Sequence, residues 1–247
     1  MEIVAVIPAR FASTRLPGKP LLADTGRPLI QHVVEAARRS ARIGRILVAT
    51  DDDRVACAVR EFGGEAVLTR ADHPSGTDRV AEVAATLPTA RIVVNLQGDE
   101  PEVSGAALDL VVQLLDDDPD APMATLATPI RSERDYRDPS CVKVVRSRSG
   151  RALYFSRSPI PHHRDGLPAD APPALLHLGL YAYRRDFLLS LAKLPPSPLE
   201  LAEKLEQLRV LEAGFPIAVG LVDEPSVGID TPDDYRRFVA RWHARQP

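Results

Sequence analysis

Between Glu2 and residue 97 the chain alternates short, β-branched apolar runs with stretches whose apolar residues recur at helical spacing, and this alternation constrains the fold more than any other feature. Glu2–Pro8 (EIVAVIP) is short, rich in Val and Ile and closed by proline, so it reads as a buried strand. After a Gly- and Pro-punctuated loop over residues 9–26, residues 28–42 set Leu29, Ile30, Val33, Val34 and Ala37 on a helical period beginning at Pro28, a residue suited to a first turn. Arg45–Thr50 (RILVAT), 51–62, 66–68, 77–86 and 91–97 (RIVVNLQ) continue as strand, helix, strand, helix, strand. Repeated crossovers of that kind demand an α/β architecture: a Rossmann-like, mainly parallel (mixed) sheet flanked by helices.

Beyond Leu115 the texture changes. Residues 124–130, 142–146, 152–156 and 177–183 read as strands with few helices between them, which makes a smaller β-rich part. An amphipathic helix over 199–213, with Leu201, Leu205, Leu208 and Leu211 on its apolar face, precedes a strand at Ile217–Leu221. Thr231-Pro232-Asp233-Asp234 then opens a last helix, with Thr as N-cap, Pro at the first position and acids in the first turn. The expected organisation is one domain over 1–247: a nucleotide-binding half (1–120), a β-rich half (121–225) and a C-terminal helix (226–247) returning to the first. The proline-rich run over 168–173 reads as the flexible segment.

Composition excludes several classes. Basic and acidic residues, 31 and 34, are spread along the chain for a net charge of -3, with no basic block of the kind that tracks nucleic acid. Cys57 and Cys141 have no CxxC spacing and read as reduced thiols. Met1-Glu2 runs straight into the first strand without a signal-peptide pattern, and no apolar run approaches the roughly 18 residues of a spanning helix. The expectation is a cytoplasmic protein without membrane insertion.

The loop after the first strand, ARFASTRLPGKP over 9–20, carries Arg10, Arg15 and Lys19 with Ser13 and Thr14. In open α/β sheets ligands bind beyond the carboxyl ends of strands. Loop amides and three cations there could hold a triphosphate, although a solvated basic loop is the plain alternative. The loop matches neither GxGxxG nor GxxxxGK[ST], so dinucleotide and P-loop readings fall away.

Residues 9–21 resemble the signature loop of sugar nucleotidyltransferases, and ARFASTRLPGKPL is similar to the form found in cytidylyltransferases of sugar acids. TRADHPSGTDR (69–79), NLQGDEP (95–101), LYFSR (153–157), HLGLYAYR (177–184), PSPLELAEKLEQLR (196–209) and GIDTPDD (228–234) follow in the order in which they resemble the CMP-Kdo synthetases, over nearly the whole chain. The resemblance implies a fold of the nucleotide-diphospho-sugar transferase type, CTP and the eight-carbon sugar acid Kdo as substrates, Mg2+, a homodimer built on the β-rich part, and a place in lipopolysaccharide biosynthesis.

It also implies roles for particular residues. Asp99 and Asp230 would hold Mg2+, an ion that commonly takes one or two carboxylates plus water and phosphate. By their own context Asp99 reads equally as a turn acid, Asp230 as a helix cap and Glu100 as a weaker ligand or a loop tether. Ala9, Arg10, Ser13, Arg15, Lys19, Arg70, Ser75, Gly76, Gln97 and Asp99 would contact CTP. Arg70 and Ser75 would help to read cytosine, while 72–76 is otherwise a turn before a helix. Gln97, Arg157, His177, Tyr181, Glu206 and Gln207 would hold the sugar acid, with Arg157 on its carboxylate. Outside the resemblance, His177 and Tyr181 are ordinary strand residues. Glu206 and Gln207, neighbours on one helix, point about 100° apart. His73 has no role. Arg10, Arg15, Lys19, Asp99 and Asp230 form the expected catalytic set for in-line attack on the α-phosphorus.

One departure concerns the pocket rim. Relatives carry Trp after the Ile-Pro that follows FSR, where this chain has His162-His163. Rival readings are a cytidylyltransferase for 8-amino-Kdo or a sialic acid, and a catalytically silent nucleotide-binding regulator.

Overall fold

The computed structural model describes residues 2–12, 15–164, 174–223 and 226–245, so Ser13, Thr14 and the run over 168–173 lie outside the described residues. The chain divides into two compact units, Met1–Asp109 with Ser226–Pro247, and Leu110–Pro225.

The first unit is built on four parallel strands, β1 (Glu2–Pro8), β2 (Arg45–Thr50), β3 (Glu65–Leu68) and β4 (Ala90–Asn95). They lie in the order β3-β2-β1-β4, with Val6 opposite both Leu47 and Asn95 and Leu68 opposite Thr50. Helices α1 (Leu29–Ala37), α2 (Asp53–Glu61) and α3 (Gly76–Ala85) make the crossovers, as the alternating periods require. β1 is buried from Val4 to Ile7, and β4 from Ile92 to Leu96, so the two central strands form the floor of the core. Their carboxyl ends, and those of β2 and β3, open at one edge.

Helix α4 (Gly105–Asp117) carries the chain into the second unit. The sequence reading assigns it no element, yet Leu108, Val111, Val112 and Leu115 are buried at the i, i+3, i+4, i+7 spacing of a helix. In the second unit β5 (Met123–Pro129) is flanked by antiparallel β8 (Leu175–Arg184) and parallel β9 (Ile217–Leu221). The hairpin β6 (Lys143–Arg146) and β7 (Ala152–Ser156) joins through β6 to β8. Short helices α5 (Glu133–Arg137) and α6 (Arg185–Leu191) lie in the connections.

The single helix expected over 199–213 is two: α7 (Pro198–Glu203) and α8 (Gln207–Glu212). Lys204 ends α7 in the left-handed region at φ 54. At this turn the Glu203 carbonyl accepts from Arg157 Nε at 2.8 Å, a contact from elsewhere in the chain. The apolar face breaks accordingly: Leu205 and Leu208 are buried, while Leu201 is 53% exposed. In the first unit the last helix, α9 (Pro232–Ala244), starts where its sequence says it should. Thr231 caps it and Asp234 completes a reciprocal capping box.

Candidate functional site

The loop after β1 is tied down at both ends before it reaches solvent. Ala9 N–H donates to Ala49 O at 2.9 Å, extending the ladder by one residue, and Gly18 turns the chain at φ 66 into a single 3-10 turn over Lys19–Leu21. Between them Leu16 is buried in a cluster with Leu29, Ile229, Tyr235 and Phe238. Each such apolar side chain contributes roughly 1.5–3 kcal/mol on burial. The cluster therefore fixes two remote segments, 15–19 and 229–230, against the same ground. The loop after β4 comes equally close: a methyl group on Gly98 would lie 2.8 Å from the Pro8 carbonyl oxygen, so glycine is required for the approach.

At the junction Lys19 Nζ donates to Asp99 Oδ2 at 2.7 Å, to the Ile229 carbonyl at 2.9 Å and to Asp230 Oδ1 at 3.4 Å. Arg15 Nη2 pairs with Asp230 Oδ1 at 3.0 Å, and Ile229 N–H donates to the Asp99 carbonyl. Sequence spacing leaves open whether Asp99 and Asp230 meet; one ammonium joins them. Lys19 is largely withdrawn from water while Asp230 is about half exposed, so the carboxylates face outward from a seated cation. They border a cleft of about 340 Å3 whose walls include Pro8, Ala9, Arg10, Ala12, Arg15, Gly76, Gln97 and Gly98. Of the residues assigned to CTP, then, Ala9, Arg10, Arg15, Lys19, Gly76, Gln97 and Asp99 share one cleft. Ser13 lies outside the described residues.

Glu100 is turned away from this cleft. Its carboxylate accepts a hydrogen bond from Ser226 Oγ. Burial, with the charges of Asp99 and Asp230 adding to it, raises its pKa to about 7 against the opposing Ser226 hydrogen bond. Arg70 is exposed and pairs with Asp72 at 3.2 Å. Ser75 Oγ caps α3, accepting from Asp78 N–H at 3.2 Å and lying 2.8 Å from Asp78 Oδ2. The helix-start reading of this segment is realised in full. Arg79, which the sequence reading passes over, and His73, to which it gives no role, support the same segment. Arg79 is fully buried, donates to Thr69 Oγ1 and stands 3.4 Å from Asp51. His73 is buried against Glu82. A charged residue spaced on the apolar face of α3, as Arg79 is among Val80 and Val83, was the available signal.

The residues assigned to the sugar acid all belong to the second unit except Gln97. A register irregularity between Thr125 and Leu126 bends β8, and Thr125 Oγ1 fills the bend within 3.1 Å of His177 Nε2, 3.1 Å of the Leu178 carbonyl and 2.9 Å of the Leu180 carbonyl. The His177 ring sits 4.9 Å from Phe155 and 5.4 Å from Tyr181, centre to centre. Burial lowers the His177 pKa to about 3, so its imidazole is neutral at physiological pH. Burial likewise pushes the Tyr181 phenol up, with Tyr183 and Glu206 adding to the shift, and it stays protonated. Gln207 is 4% exposed, and among the described residues its Nε2 has no hydrogen-bond partner. Glu206 is exposed at the start of α8. The Arg157 guanidinium donates to the carbonyls of Glu203 (2.8 Å), Pro139 (3.0 Å) and Lys204 (3.5 Å). Buried Lys143 gathers the carbonyls of Asp138, Cys141 and Arg157 within 2.9 Å.

Known proteins converge on the same identification. The sequence model of the family described as Cytidylyltransferase matches residues 4–219. The 3-deoxy-manno-octulosonate cytidylyltransferase of Syntrophobacter fumaroxidans is 54% identical, the match covering 97% of this chain and 96% of that protein. The enzyme of the same name from Syntrophotalea carbinolica is 52% identical over 97% of this chain and 98% of its own length. Among solved structures, CMP:2-keto-3-deoxy-manno-octonic acid synthetase complexed with CTP superposes with a TM-score of 0.94 at 47% identity, covering all of both chains. A 4-diphosphocytidyl-2C-methyl-D-erythritol synthase from Anaerococcus prevotii, at 15% identity and a TM-score of 0.63 over 99% of both chains, shares the fold.

Proposed function

The chain belongs to the cytidylyltransferase family, and from that premise we propose that it transfers CMP from CTP to the anomeric hydroxyl of Kdo, releasing pyrophosphate and supplying activated Kdo for lipopolysaccharide assembly. The observation that carries the reading is the junction at Lys19, where two carboxylates from opposite ends of the first unit and the cations of the first loop meet on one cleft.

The chemistry asks for little from the protein beyond placement and charge. Phosphoryl groups need donors where negative charge accumulates, and catalysis by preorganised donors is the largest single term in such reactions. Arg10 and Arg15 take the triphosphate and offset the charge that grows on the departing pyrophosphate. Lys19 holds Asp99 and Asp230 at a fixed separation and shields them from each other. The two carboxylates fit a Mg2+ ion, because both already converge on a single cationic centre. Among the described residues no group of three or more His, Cys, Asp or Glu side chains makes a closed cage, which suits an ion that keeps water and substrate oxygens. When bound there, Mg2+ would supply Lewis acidity toward phosphate oxygen and the incoming hydroxyl.

The segment 70–76, which meets the cleft at Gly76 beside the Pro8 ring, receives the base. In the second unit neutral His177, protonated Tyr181 and the unpartnered amide of Gln207 are hydrogen-bonding groups suited to hydroxyls, and Glu206 reads a further one. Arg157 meets the sugar carboxylate with the N–H groups that its carbonyl contacts leave over, those contacts orienting the guanidinium. The same family reading makes the enzyme a cytoplasmic homodimer. No helix among the described residues is long and apolar enough to cross a membrane.

Pyrophosphate release, measured with purified protein, CTP, Mg2+ and Kdo, tests the reading. Turnover is expected with CTP and Kdo together and not with UTP or with a sialic acid. Turnover with a different acid sugar would move the substrate, and none with any pair would leave a silent nucleotide binder.

A further inference from the structure

The His73–Glu82 pair lies outside the cleft yet connects to it. His73 sits in the segment 70–75, which leads to Gly76 on the cleft wall, and is 7% exposed, with its Nε2 against Glu82 Oε2 on α3. The same carboxylate oxygen accepts the Arg70 backbone N–H at 3.2 Å, so Glu82 grips both the start and the middle of the segment. The His73 carbonyl, in turn, accepts from Arg10 Nη2 at 2.6 Å. A chain of contacts thus runs from Glu82 through His73 to a cation of the triphosphate loop.

We infer that Glu82 is a positioning residue for the nucleotide: it sets the His73 carbonyl, which sets the Arg10 guanidinium over the cleft. The inference rests on the reading of this cleft as the CTP site. The helix that carries Glu82 is a rigid base, because Arg79, Val80, Ala81, Val83 and Ala84 are all buried. At the far end of the segment Ser75 is tied to α3 through Asp78, and Arg79 braces Thr69 just before the segment; between those ends Glu82 is the anchor. The segment's other side-chain ion pair among the described residues, Arg70–Asp72, is exposed at both ends, and such pairs stabilise weakly. Arg10 is itself exposed, on a long side chain with several rotamers to lose. A short hydrogen bond to a carbonyl that is fixed from behind removes much of that freedom before the triphosphate arrives, and affinity gained by preorganisation needs no new contact to the ligand.

The test is steady-state kinetics of pyrophosphate release for wild type, Glu82→Ala, Glu82→Gln, Arg10→Ala and the Glu82→Ala/Arg10→Ala double variant, with CTP and Kdo varied separately. Turnover by the wild type in the same assay keeps the underlying reading apart from this one. Glu82→Ala is expected to raise KM for CTP by about tenfold and to lower kcat as well, because Arg10 also offsets charge on the departing pyrophosphate, with KM for Kdo within about twofold. Glu82→Gln keeps an acceptor for both partners and should stay within about threefold of wild type. Because Glu82 acts through Arg10, the double variant should be no worse than Arg10→Ala alone. If Glu82→Ala does not fold, His73→Asn, which cannot reach Glu82, carries the same comparison. An unchanged KM for CTP, an equal rise in both KM values, or effects that multiply in the double variant would each overturn the inference.

Discussion

At Gly98 one methyl group decides whether the two halves of the nucleotide cleft can close on each other. A Cβ there would stand 2.8 Å from the Pro8 carbonyl oxygen, a backbone atom that cannot swing aside. Gly98→Ala should therefore cost about 1–3 kcal/mol in denaturant unfolding and lower kcat/KM at least tenfold, roughly, since Asp99 moves with the shifted loop. Lys19→Met keeps the length of the side chain but leaves Asp99 and Asp230 without their shared ammonium. A loss on the order of 10²–10³ in kcat is expected, measured by pyrophosphate release. His177 supplies a prediction in pH. Its folded pKa of about 3 lies below the value near 6.5 of an unfolded histidine. As pH falls below 6.5 the unfolded chain takes up a proton that the folded one refuses, so stability is full above 6.5 and declines toward acid. This site should remove up to about 2 kcal/mol between pH 7.5 and pH 5, and His177→Gln should abolish that part of the slope in chemical unfolding. The residue types at this site were legible in the sequence, but their partners were not. Nothing in spacing says that Lys19 joins Asp99 to Asp230, or that Arg157 gives its guanidinium N–H groups to backbone carbonyls; those facts depend on tertiary contacts.

Elements were legible to the extent that a single period governed them. The first four strands and three crossover helices follow from continuous β-branched runs alternating with stretches of period 3.6, because both faces of a parallel sheet must be covered. The break between α7 and α8 escaped the same reasoning, since leucines at 201, 205, 208 and 211 keep a helical period straight through a kink. α7 ends where contacts arrive from elsewhere in the chain, Arg157 on the Glu203 carbonyl together with Ser156 Oγ and the Arg157 N–H on the Glu203 carboxylate. The price is a lysine in the left-handed region. Glycine relieves that strain, so Lys204→Gly should raise stability by about 0.5–1 kcal/mol, read as a higher urea midpoint at unchanged slope. A drop instead would mean that the Lys204 side chain matters more than its backbone. At α9 the capping box is a junction of stability and site. Asp234 is partly desolvated, which opposes ionisation, yet hydrogen bonds from the Thr231 side chain, Arg237 and the backbone of Thr231 and Asp230 outweigh that and bring its pKa to about 2. The cap that starts the helix therefore also holds the backbone of Asp230.

On the proposed assignments the groups for the two substrates fall in different compact units, and a division of that kind is testable without any assumption about how the units are arranged. The cations, carboxylates and glycines assigned to CTP belong to the first unit; the groups assigned to the sugar, Gln97 apart, belong to the second. Ligand binding slows amide exchange most where it orders backbone that was previously open to solvent. Adding CTP with Mg2+ should therefore protect amides in 9–19, 70–76, 97–100 and 229–231, and leave the Thr125–His177 region of the second unit near its free rate. Adding Kdo to the nucleotide complex should then protect 176–182 and 205–208, where His177, Tyr181 and the unpartnered Gln207 amide lie. Hydrogen-exchange mass spectrometry reads both steps in one titration. Protection of the second-unit segments by CTP alone would show that the nucleotide orders both units at once, and the assignment of separate substrates to separate units would fail. Protection by Kdo confined to the first unit would instead remove His177, Tyr181 and Gln207 from the sugar site while leaving the chemistry at Lys19 in place.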